Sequence, residues 1–176
     1  MNKFLSPLFL RDIKLFYLIN NTLQCKLFNL VLPKITHLGS GIFLGVVIIS
    51  LILFTEDKLQ QIGWEALLIV GAINLLVHFL KVIIKRNRPF NSLKGVNLLS
   101  STFSLYSFPS GHSAAIFSFA TVIYNHILVI SVLVYLLAII VAFSRAYLGV
   151  HYPSDIIIGA LLGIYLTELI YFFLML

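Results

Sequence analysis

The chain has 176 residues, of which 60% are apolar and only 10% are charged, and its mean hydropathy is +1.05. A soluble domain of that composition would expose far too much hydrocarbon, so we predict an integral membrane protein with one domain, residues 1–176. The net charge of +6 could indicate nucleic acid, but the basic residues form no aromatic-interleaved patch on a soluble surface, so anionic lipid or a phosphorylated substrate is the better interpretation. A single cysteine, Cys25, excludes an intramolecular disulfide.

The N-terminal segment, residues 1–20, predicts a helix that lies in the membrane interface, because apolar and polar side chains alternate at helical spacing. It lacks a continuous apolar stretch followed by a small-residue cleavage site, so we expect no cleaved signal peptide. The apolar set comprises Leu8, Leu15 and Leu18, and the polar set comprises Arg11, Asp12 and Lys14.

Six apolar segments follow along the chain. Residues 24–37 form a short, weak span because Lys26, Pro33 and Lys34 interrupt it, and THLGSG at residues 36–41 is typical of a turn. The other five segments lie at residues 40–54, 62–84, 112–128, 130–147 and 154–175. Each is close to the roughly 20 residues that a helix needs to cross the hydrocarbon core. Since no segment alternates like a barrel strand, the sequence predicts an all-α, integral membrane helical bundle of about six spans.

The connection at residues 85–111 is unusually long, and it is rich in basic and aromatic residues. Long connections in compact proteins are usually functional or disordered. Its composition suits a lid at the level of the lipid headgroups, and it equally suits an interfacial anchor without catalytic contacts.

Alternation of the spans brings three polar clusters to one face of the membrane. The third span ends near Lys81 and Arg88, and the fourth begins at His112. The fifth ends at Arg145, and the sixth begins just after His151. The three clusters therefore share a face whichever side the N-terminus occupies.

The first cluster is KVIIKRNRP, residues 81–89. Lys81 and Arg88 are seven residues apart, so they lie two turns apart on one helix face, and Pro89 ends that helix. A lysine inside the end of a span is costly unless it meets an anion or extends to the interface, and both explanations of Lys81 stay open.

The second cluster is PSGH, residues 109–112. Ser110 suits the N-cap of a helix, and Gly111 permits close approach of a ligand to the backbone. The free N–H groups at such a helix start form an anion site, with His112 beside it. Taken alone, the motif also fits an ordinary helix start.

The third cluster is SRAYLGVHYPSD, residues 144–155. The guanidinium of Arg145 suits phosphate oxygens, and Asp155 lies four residues after His151, where it can accept the imidazole N–H and fix the tautomer. A His–Asp pair that only stabilises the helix start, next to Pro153, is the alternative. Together the three clusters supply three cations, two histidines, a carboxylate and a helix N-terminus, a combination that indicates phosphoryl transfer.

In order and spacing, the clusters resemble the three-part signature of the type 2 phosphatidic acid phosphatase family, which shares its site with the vanadium-dependent haloperoxidases. The resemblance runs from residue 81 to residue 155, and THLGS before it is similar to bacterial members. The matching elements are Lys81–(six residues)–Arg88–Pro89, Pro109–Ser110–Gly111–His112, and Ser144–Arg145–(five residues)–His151–(three residues)–Asp155.

The resemblance implies a metal-independent phosphatase that needs no cofactor and works through a phosphohistidine. It implies that His151 is the nucleophile, that Asp155 orients it, and that His112 is first the acid and then the base. It also implies that the phosphoryl oxygens are held by Lys81, Arg88, Ser110, Gly111 and Arg145. The expected substrate is a membrane lipid phosphate or pyrophosphate: undecaprenyl pyrophosphate, phosphatidylglycerol phosphate, phosphatidic acid or the 1-phosphate of lipid A.

Two other functions are compatible with the motifs: a lipid-to-lipid phosphotransferase on the same site, and a small lipid transporter or scramblase. The ionisable residues cluster at one face rather than at the midplane, which argues against a transporter. The apolar composition argues against a soluble haloperoxidase. Besides the bilayer and the lipid substrate, the sequence indicates no obligate protein partner.

The side of the membrane is a separate prediction. Lys and Arg are denser on the motif face, so the positive-inside rule alone predicts a cytoplasmic site. The motif cations have a catalytic reason for their position, whereas four others lie opposite if residues 24–37 cross: Lys3, Arg11, Lys14 and Lys58. With the resemblance, this predicts a multi-pass inner-membrane protein whose site faces the extracytoplasmic side.

The remaining polar residues carry weaker predictions. His78, one turn before Lys81, is expected either behind the site or packed in the bundle, and packing is favoured. Glu168 is expected to pair within the bundle. Asn74, His126 and His37 carry no functional prediction.

Overall fold

The computed structural model describes residues 7–101 and 104–174, so Lys3 lies outside the described residues. Within them the fold is helical, with no strand and only an isolated bridge between Asn87 and Tyr106, which confirms the all-α prediction. The helices are α1 (Pro7–Tyr17), α2 (Lys26–Ile35), α3 (Gly41–Phe54), α4 (Asp57–Ile84), α5 (Pro89–Ser92), α6 (Gly111–His126), α7 (Leu128–Tyr147) and α8 (Pro153–Leu174). A π-helical segment, Leu18–Thr22, follows α1, and a 3₁₀ turn, Thr36–Gly39, follows α2.

The bundle is built around α6. Every residue of α6 from Ser113 to Ile123 is buried, and α4, α7 and α8 pack around it. The outer helices turn large apolar side chains outward, as Leu75 on α4 and Val129 on α7 do with exposed fractions of 72% and 80%. Such an apolar outer surface suits contact with lipid chains. We call the end that carries residues 81–88, 110–112 and 145–155 the motif end.

Six separate spans are not found among the described residues. By length and hydropathy, α4, α7 and α8 are each long and apolar enough to cross a bilayer, and α2 and α3 count as a fourth crossing if they form one span with a bend of 53°. The central helix α6 has only 16 residues. Because protein surrounds it, α6 has no need of a lipid-facing surface that matches the thickness of the membrane.

The weak span predicted at residues 24–37 is not a crossing of its own. Both ends of α2 meet the last turn of α7: Tyr147 Oη donates to Asn29 Oδ1 at 2.6 Å, and Arg145 Nη1 donates to Thr36 Oγ1 at 2.6 Å. The helix therefore lies across the motif end. Its lysines and Pro33 explain this, because charged side chains are costly in hydrocarbon.

The helix predicted near the N-terminus is present as α1, and it also lies at the motif end. Asp12 accepts hydrogen bonds from the backbone N and the Oγ of Ser154, at 2.9 and 2.5 Å, in the first turn of α8. Arg11 and Lys14 therefore share the end of the molecule that carries the motifs. The prediction placed them on the opposite face only if residues 24–37 cross the membrane, and that condition is not met.

Two glycines let α8 approach α6 closely. A Cβ added at Gly159 would lie 2.5 Å from the backbone oxygen of Ser110, and one at Gly163 would lie 2.5 Å from that of Ala114. Small residues four apart allow this kind of helix contact, and helix packing in membranes depends on it. The contact fixes the start of α6 against the start of α8, where two of the motifs meet.

The far end of the bundle carries its own polar cluster. Glu65 Oε2 lies 2.7 Å from His126 Nε2 and accepts a hydrogen bond of 2.5 Å from Tyr171 Oη. Nearby, Asn125 Nδ2 donates to Glu168 Oε1 at 3.1 Å, so Glu168 does pair within the bundle as predicted. These contacts join α4, α6 and α8 at the end remote from the motifs.

Candidate active site

A cavity of about 590 Å³ opens at the motif end, and it brings the three sequence clusters together. The end of α4 and the following loop, the start of α6, and the end of α7 with the loop before α8 each contribute to its wall. Six of the eight predicted site residues line it: Lys81, Arg88, Gly111, His112, Arg145 and His151.

The two ring nitrogens of His151 face groups of opposite charge. Arg88 Nη1 lies 3.3 Å from His151 Nε2, and because a guanidinium can only donate, Nε2 is the acceptor. On the other side, Asp155 Oδ2 lies 3.6 Å from Nδ1, within ion-pair range but longer than a hydrogen bond. The ring therefore presents an unprotonated Nε2 at the cavity wall and an Nδ1–H toward the carboxylate.

The surroundings of His151 also favour its neutral form. Burial lowers the pKa of His151 well below its usual value of 6.5, and the charges of Arg88, Arg145 and Lys81 lower it further. A neutral imidazole keeps the lone pair that a nucleophile needs.

The backbone of two loops fixes Arg88. Its Nε donates to the Ser104 carbonyl and its Nη1 to the Val150 carbonyl, both at 2.8 Å. Burial lowers the pKa of Arg88 to about 10, so the guanidinium remains positive at neutral pH. The loop before α6 and the loop before α8 are thus joined through a cation at the cavity wall.

Arg145 is almost fully buried and has an unused donor. Its Nη1 is taken by Thr36 Oγ1, whereas its Nε has no hydrogen-bond partner among the described residues. An unpaired buried N–H is costly, and a phosphate oxygen in the cavity would supply the missing acceptor. This orphaned donor is an independent sign that the cavity takes an anion.

Lys81 reaches into the same region from α4. Its Nζ donates to the backbone oxygens of Tyr106 and Ser107, at 3.0 and 3.4 Å, and an ammonium carries three donors. The lysine is only 9% exposed, so it does not extend to the interface. Of the two explanations open for Lys81, contact with an anion at the cavity is the one that its position supports.

Ser110 is the N-cap of α6, as predicted, but it is not among the residues that line the cavity. Its Oγ accepts from the backbone N and the Oγ of Ser113, at 3.4 and 2.9 Å, which makes it the N-cap of α6. It is fully buried and does not line the cavity, whereas Gly111 and His112 do. Its backbone N donates to the Asp155 carbonyl at 2.9 Å, so the residue joins α6 to α8 rather than facing a ligand.

Several residues that carried no functional prediction also line the cavity. They are Thr36, His37, Ser40, Ser100, Ser101 and Ser104. His37 and its neighbours come from the THLGS stretch, whose likeness to bacterial members was their only sequence signal. By contrast, His78 lies on the outer face of α4 in a shallow groove with Phe79, neither behind the site nor packed in the bundle.

The π-helical segment after α1 fixes the serine-rich part of the long loop. Asn20 is fully buried, and its Nδ2 donates to the carbonyls of Asn97 and Tyr147, at 2.9 and 2.8 Å. Its Oδ1 accepts from the Asn97 backbone N at 2.9 Å. Ser100 and Ser101, which line the cavity, come three and four residues after Asn97 in the chain. The contacts of Asn20 therefore fix this part of the loop at the site.

No group of three or more His, Cys, Asp or Glu side chains is close enough to hold a metal ion in residues 7–101 and 104–174. The positive charge at the cavity comes from lysine and arginine side chains.

Comparison with known families identifies this arrangement. The family model of the PAP2 superfamily matches residues 62–175, which include every residue of the three clusters. The chain belongs to the PAP2 superfamily.

Similar proteins come from several organisms. The chain is 35% identical to phosphatidylglycerophosphatase B of Bacillus subtilis, over 81% of this chain and 73% of the relative. It is 28% identical to an undecaprenyl-diphosphatase of Sulfolobus acidocaldarius, over 90% of this chain and 76% of the relative. Among solved structures it is similar to LpxE of Aquifex aeolicus, with a TM-score of 0.78 and 34% identity over 89% of this chain and 92% of that one.

These comparisons confirm the resemblance drawn from the motifs. The protein is a membrane phosphatase of the PAP2 lipid phosphatase family. The match begins at residue 62, so α1, α2 and α3 lie outside it. Even so, Asp12 contacts Arg86, Asn20 contacts Asn97, and Thr36 contacts Arg145.

Proposed function

We propose that this PAP2 protein hydrolyses the terminal phosphate of a lipid phosphate or diphosphate through a phosphohistidine formed on His151. The observation that carries the proposal is the setting of that imidazole, with Arg88 at Nε2 and the Asp155 carboxylate on the Nδ1 side. Nε2 is the nucleophile, because it faces the cations at the cavity wall.

In the first step, His151 Nε2 attacks phosphorus, and the bond from phosphorus to the leaving oxygen breaks. His112 donates a proton to that oxygen. The guanidinium groups of Arg88 and Arg145, the ammonium of Lys81 and the backbone N–H of Gly111 hold the other phosphoryl oxygens, where charge must be stabilised by fixed donors.

In the second step, water attacks the phosphohistidine while His112 accepts its proton. The N–P bond breaks, inorganic phosphate leaves and neutral His151 is restored. Asp155 offsets the positive charge that the ring carries between the two steps. No step requires a metal ion, since lysine and arginine supply the positive charge.

The names of the relatives indicate the substrate class. One is named for a phosphorylated glycerophospholipid and another for a polyprenyl diphosphate, and both substrates join a terminal phosphate to a membrane anchor. Candidates for this chain are undecaprenyl pyrophosphate, phosphatidylglycerol phosphate, phosphatidic acid and lipid A 1-phosphate. Uncharged polar groups along the cavity, from Thr36, Ser40 and Ser101, supply hydrogen bonds for a headgroup beyond the transferred phosphate.

We also propose that the protein lies in the cell membrane with its motif end on the extracytoplasmic side, as the family resemblance implies. The positive-inside rule favours the reverse, because ten of the eleven described Lys and Arg residues belong to elements at the motif end. Four of those ten line the cavity or contact a residue of the candidate site: Lys81, Arg86, Arg88 and Arg145. Among the described residues, Lys58 is the only Lys or Arg at the opposite end of the bundle.

The reaction is tested with purified protein in detergent and a panel of the four candidate lipids, by measuring inorganic phosphate with EDTA present. Release from at least one lipid, abolished by His151→Ala, is the expected result. Phosphate that reaches an added acceptor lipid without appearing in solution would instead identify a phosphotransferase. Full activity of His151→Ala would refute the proposed nucleophile.

The orientation is tested with single cysteines at Lys94, Ser101 and Lys58 in a Cys25→Ser background. Serine keeps a hydroxyl that can replace the Cys25 Sγ as acceptor for the Phe28 backbone N. In intact cells an impermeant thiol reagent should label positions 94 and 101 and leave position 58 unlabelled. The opposite pattern would establish the orientation that the positive-inside rule predicts.

A further inference from the structure

Arg86 lies between two residues of the first motif, yet it contacts the carboxylate behind the proposed nucleophile. Its Nη1 lies 2.5 Å from Asp155 Oδ1, and its Nη2 lies 2.7 Å from Asp12 Oδ2. The same Nη1 donates to Ser154 Oγ at 2.7 Å. One guanidinium thus bridges a carboxylate of the site and a carboxylate of α1.

Aromatic rings hold this guanidinium in place. Its central carbon lies 4.1 Å from the ring centroid of Tyr152 and 5.5 Å from that of Phe9. Stacking of this kind suits arginine and is not reproduced by lysine. The position of Arg86 is therefore set on two sides, by rings on its planar surface and by carboxylates at its edge.

Asp12 completes the bridge from the other side. Besides Arg86, it accepts two hydrogen bonds from Ser154, so a residue of α1 caps the start of α8. The exposed fractions of the side chains are 19% for Arg86, 9% for Asp12 and 0% for Asp155. The Coulomb attraction between charges this far removed from water is stronger than that between surface charges, because the local dielectric constant is lower.

The two oxygens of Asp155 have separate partners. Oδ1 is held by Arg86, and Oδ2 accepts from the Tyr152 backbone N at 2.9 Å while facing His151 Nδ1 at 3.6 Å. The contact of Arg86 with Oδ1 and that of the Tyr152 backbone N with Oδ2 together fix the rotation of the carboxylate, and hence where Oδ2 meets the imidazole. It also balances a carboxylate that would otherwise be buried without a full counter-charge.

We propose that Arg86 and Asp12 are positioning residues that act on His151 through Asp155, so that α1 forms part of the catalytic apparatus. This inference rests on the proposed role of His151. Neither residue lines the cavity, so neither is assigned a contact with the phosphoryl group. Their effect is on the nucleophile: its orientation, its tautomer and the stability of the positive phosphohistidine.

The test compares Arg86→Gln, Arg86→Lys, Asp12→Asn and the Arg86→Gln/Asp12→Asn double variant, as full-length protein in detergent. Arg86→Gln should lower kcat by about 10- to 100-fold, because a small misplacement of a reacting group costs that much, while KM and inhibition by orthovanadate stay unchanged. Arg86→Lys should give an intermediate kcat, since lysine restores charge but cannot bridge both carboxylates.

The double variant shows whether Asp12 acts on kcat through Arg86 or whether the two residues affect kcat independently. If Asp12 acts through Arg86, Asp12→Asn should lower kcat in the wild-type background and add no further loss to Arg86→Gln. The matched controls are Arg11→Gln and Lys85→Gln, which remove an exposed cation from α1 and from the residue next to Arg86. Both controls should keep the wild-type kcat.

The outcomes distinguish the failure of each proposal. A raised KM and weakened vanadate inhibition in Arg86→Gln, with kcat unchanged, would show that Arg86 binds phosphate and would overturn the positioning role. Wild-type kcat in Arg86→Gln and Asp12→Asn, when His151→Ala is inactive, would also overturn it and leave the proposed function intact. Activity in His151→Ala would refute the proposed function itself. If Arg86→Gln fails to fold, Asp12→Asn decides, because an amide can still accept from Ser154.

Discussion

The Nη1 atom of Arg88 lies 3.3 Å from the Nε2 atom of His151, so a fixed positive charge borders the ring nitrogen that we assign to the attack on phosphorus. In the proposed mechanism this guanidinium has two effects: it holds a phosphate oxygen, and its positive charge disfavours protonation of the imidazole. The first prediction depends on this second effect.

The activity should resist mild acid. The pKa of His151 in the folded protein lies below its usual 6.5, through burial and then through the nearby cations, so the ring stays neutral at pH 6.5 and begins to protonate only as the pH falls toward the lower value. Arg88→Gln removes one of those cations and should raise that pKa. The acid limb of the pH profile of kcat/KM should then move to higher pH, whatever happens to the absolute rate. An acid limb that stays in place or moves to lower pH would contradict this account.

The second prediction separates the two histidines by leaving group. An alkoxide that leaves a lipid monophosphate is strongly basic and, in the proposed mechanism, takes a proton from His112, whereas the phosphate released from a lipid pyrophosphate is less basic and depends less on that proton. His112→Ala should therefore lose more kcat/KM on the monophosphate, by about tenfold or more, since general acid catalysis contributes roughly 10²–10⁴-fold. His151→Ala is the control, because both substrates require the nucleophile. Equal losses in His112→Ala would assign that residue to binding.

The third prediction concerns metals and vanadate. Activity should persist in EDTA, because no carboxylate is among the described residues that line the cavity, and hard divalent ions in proteins are bound chiefly through carboxylates. Orthovanadate should inhibit by occupying the position of the phosphoryl group, and Arg145→Gln should weaken that inhibition because its partnerless Nε–H is lost. Loss of activity in EDTA that magnesium restores would contradict the mechanism.

The fourth prediction is structural. Gly159→Val should lower the midpoint of thermal unfolding in detergent, since a Cβ there meets the Ser110 backbone oxygen at 2.5 Å. Overpacking of this kind costs typically about 1–3 kcal/mol. Gly45→Val is the matched control, because a Cβ at Gly45 in α3 meets nothing within 4 Å. Equal midpoints for the two variants would show that α8 can shift away from α6 at little cost.

The sequence predicts the long helices well, because their apolar segments are bounded by turns and charges. It predicts the convergence of the motifs for a topological reason: any hairpin of spans returns its ends to the same face. The prediction fails at α2, and the count of six spans is not confirmed. Whether a short apolar helix crosses the bilayer or lies across the end of another helix depends on tertiary contacts such as those of Tyr147, which no local pattern contains.

The candidate site shows the same division. The spacing predicted which residues of the signature come together, and it predicted Ser110 as an N-cap. It did not show that Ser110 lies outside the cavity lining or that Arg86 bridges two carboxylates. A serine before a helix has the same local pattern in either role. A cation at the end of a span suggests interfacial anchoring until its partners are known, and the partners of Arg86 lie 69 and 74 residues away in sequence.

The uneven distribution of charge along the bundle has a consequence for the surrounding lipid. With ten described Lys and Arg residues at the motif end and one at the other, the protein should collect anionic lipids in the leaflet that adjoins the motif end. Each exposed cation near the membrane surface contributes about 1 kcal/mol to such attraction. Lipid phosphates are themselves anionic, so the lipids around the protein would be enriched in substrate. High ionic strength would remove this enrichment, and the apparent KM should therefore rise more in vesicles than in detergent.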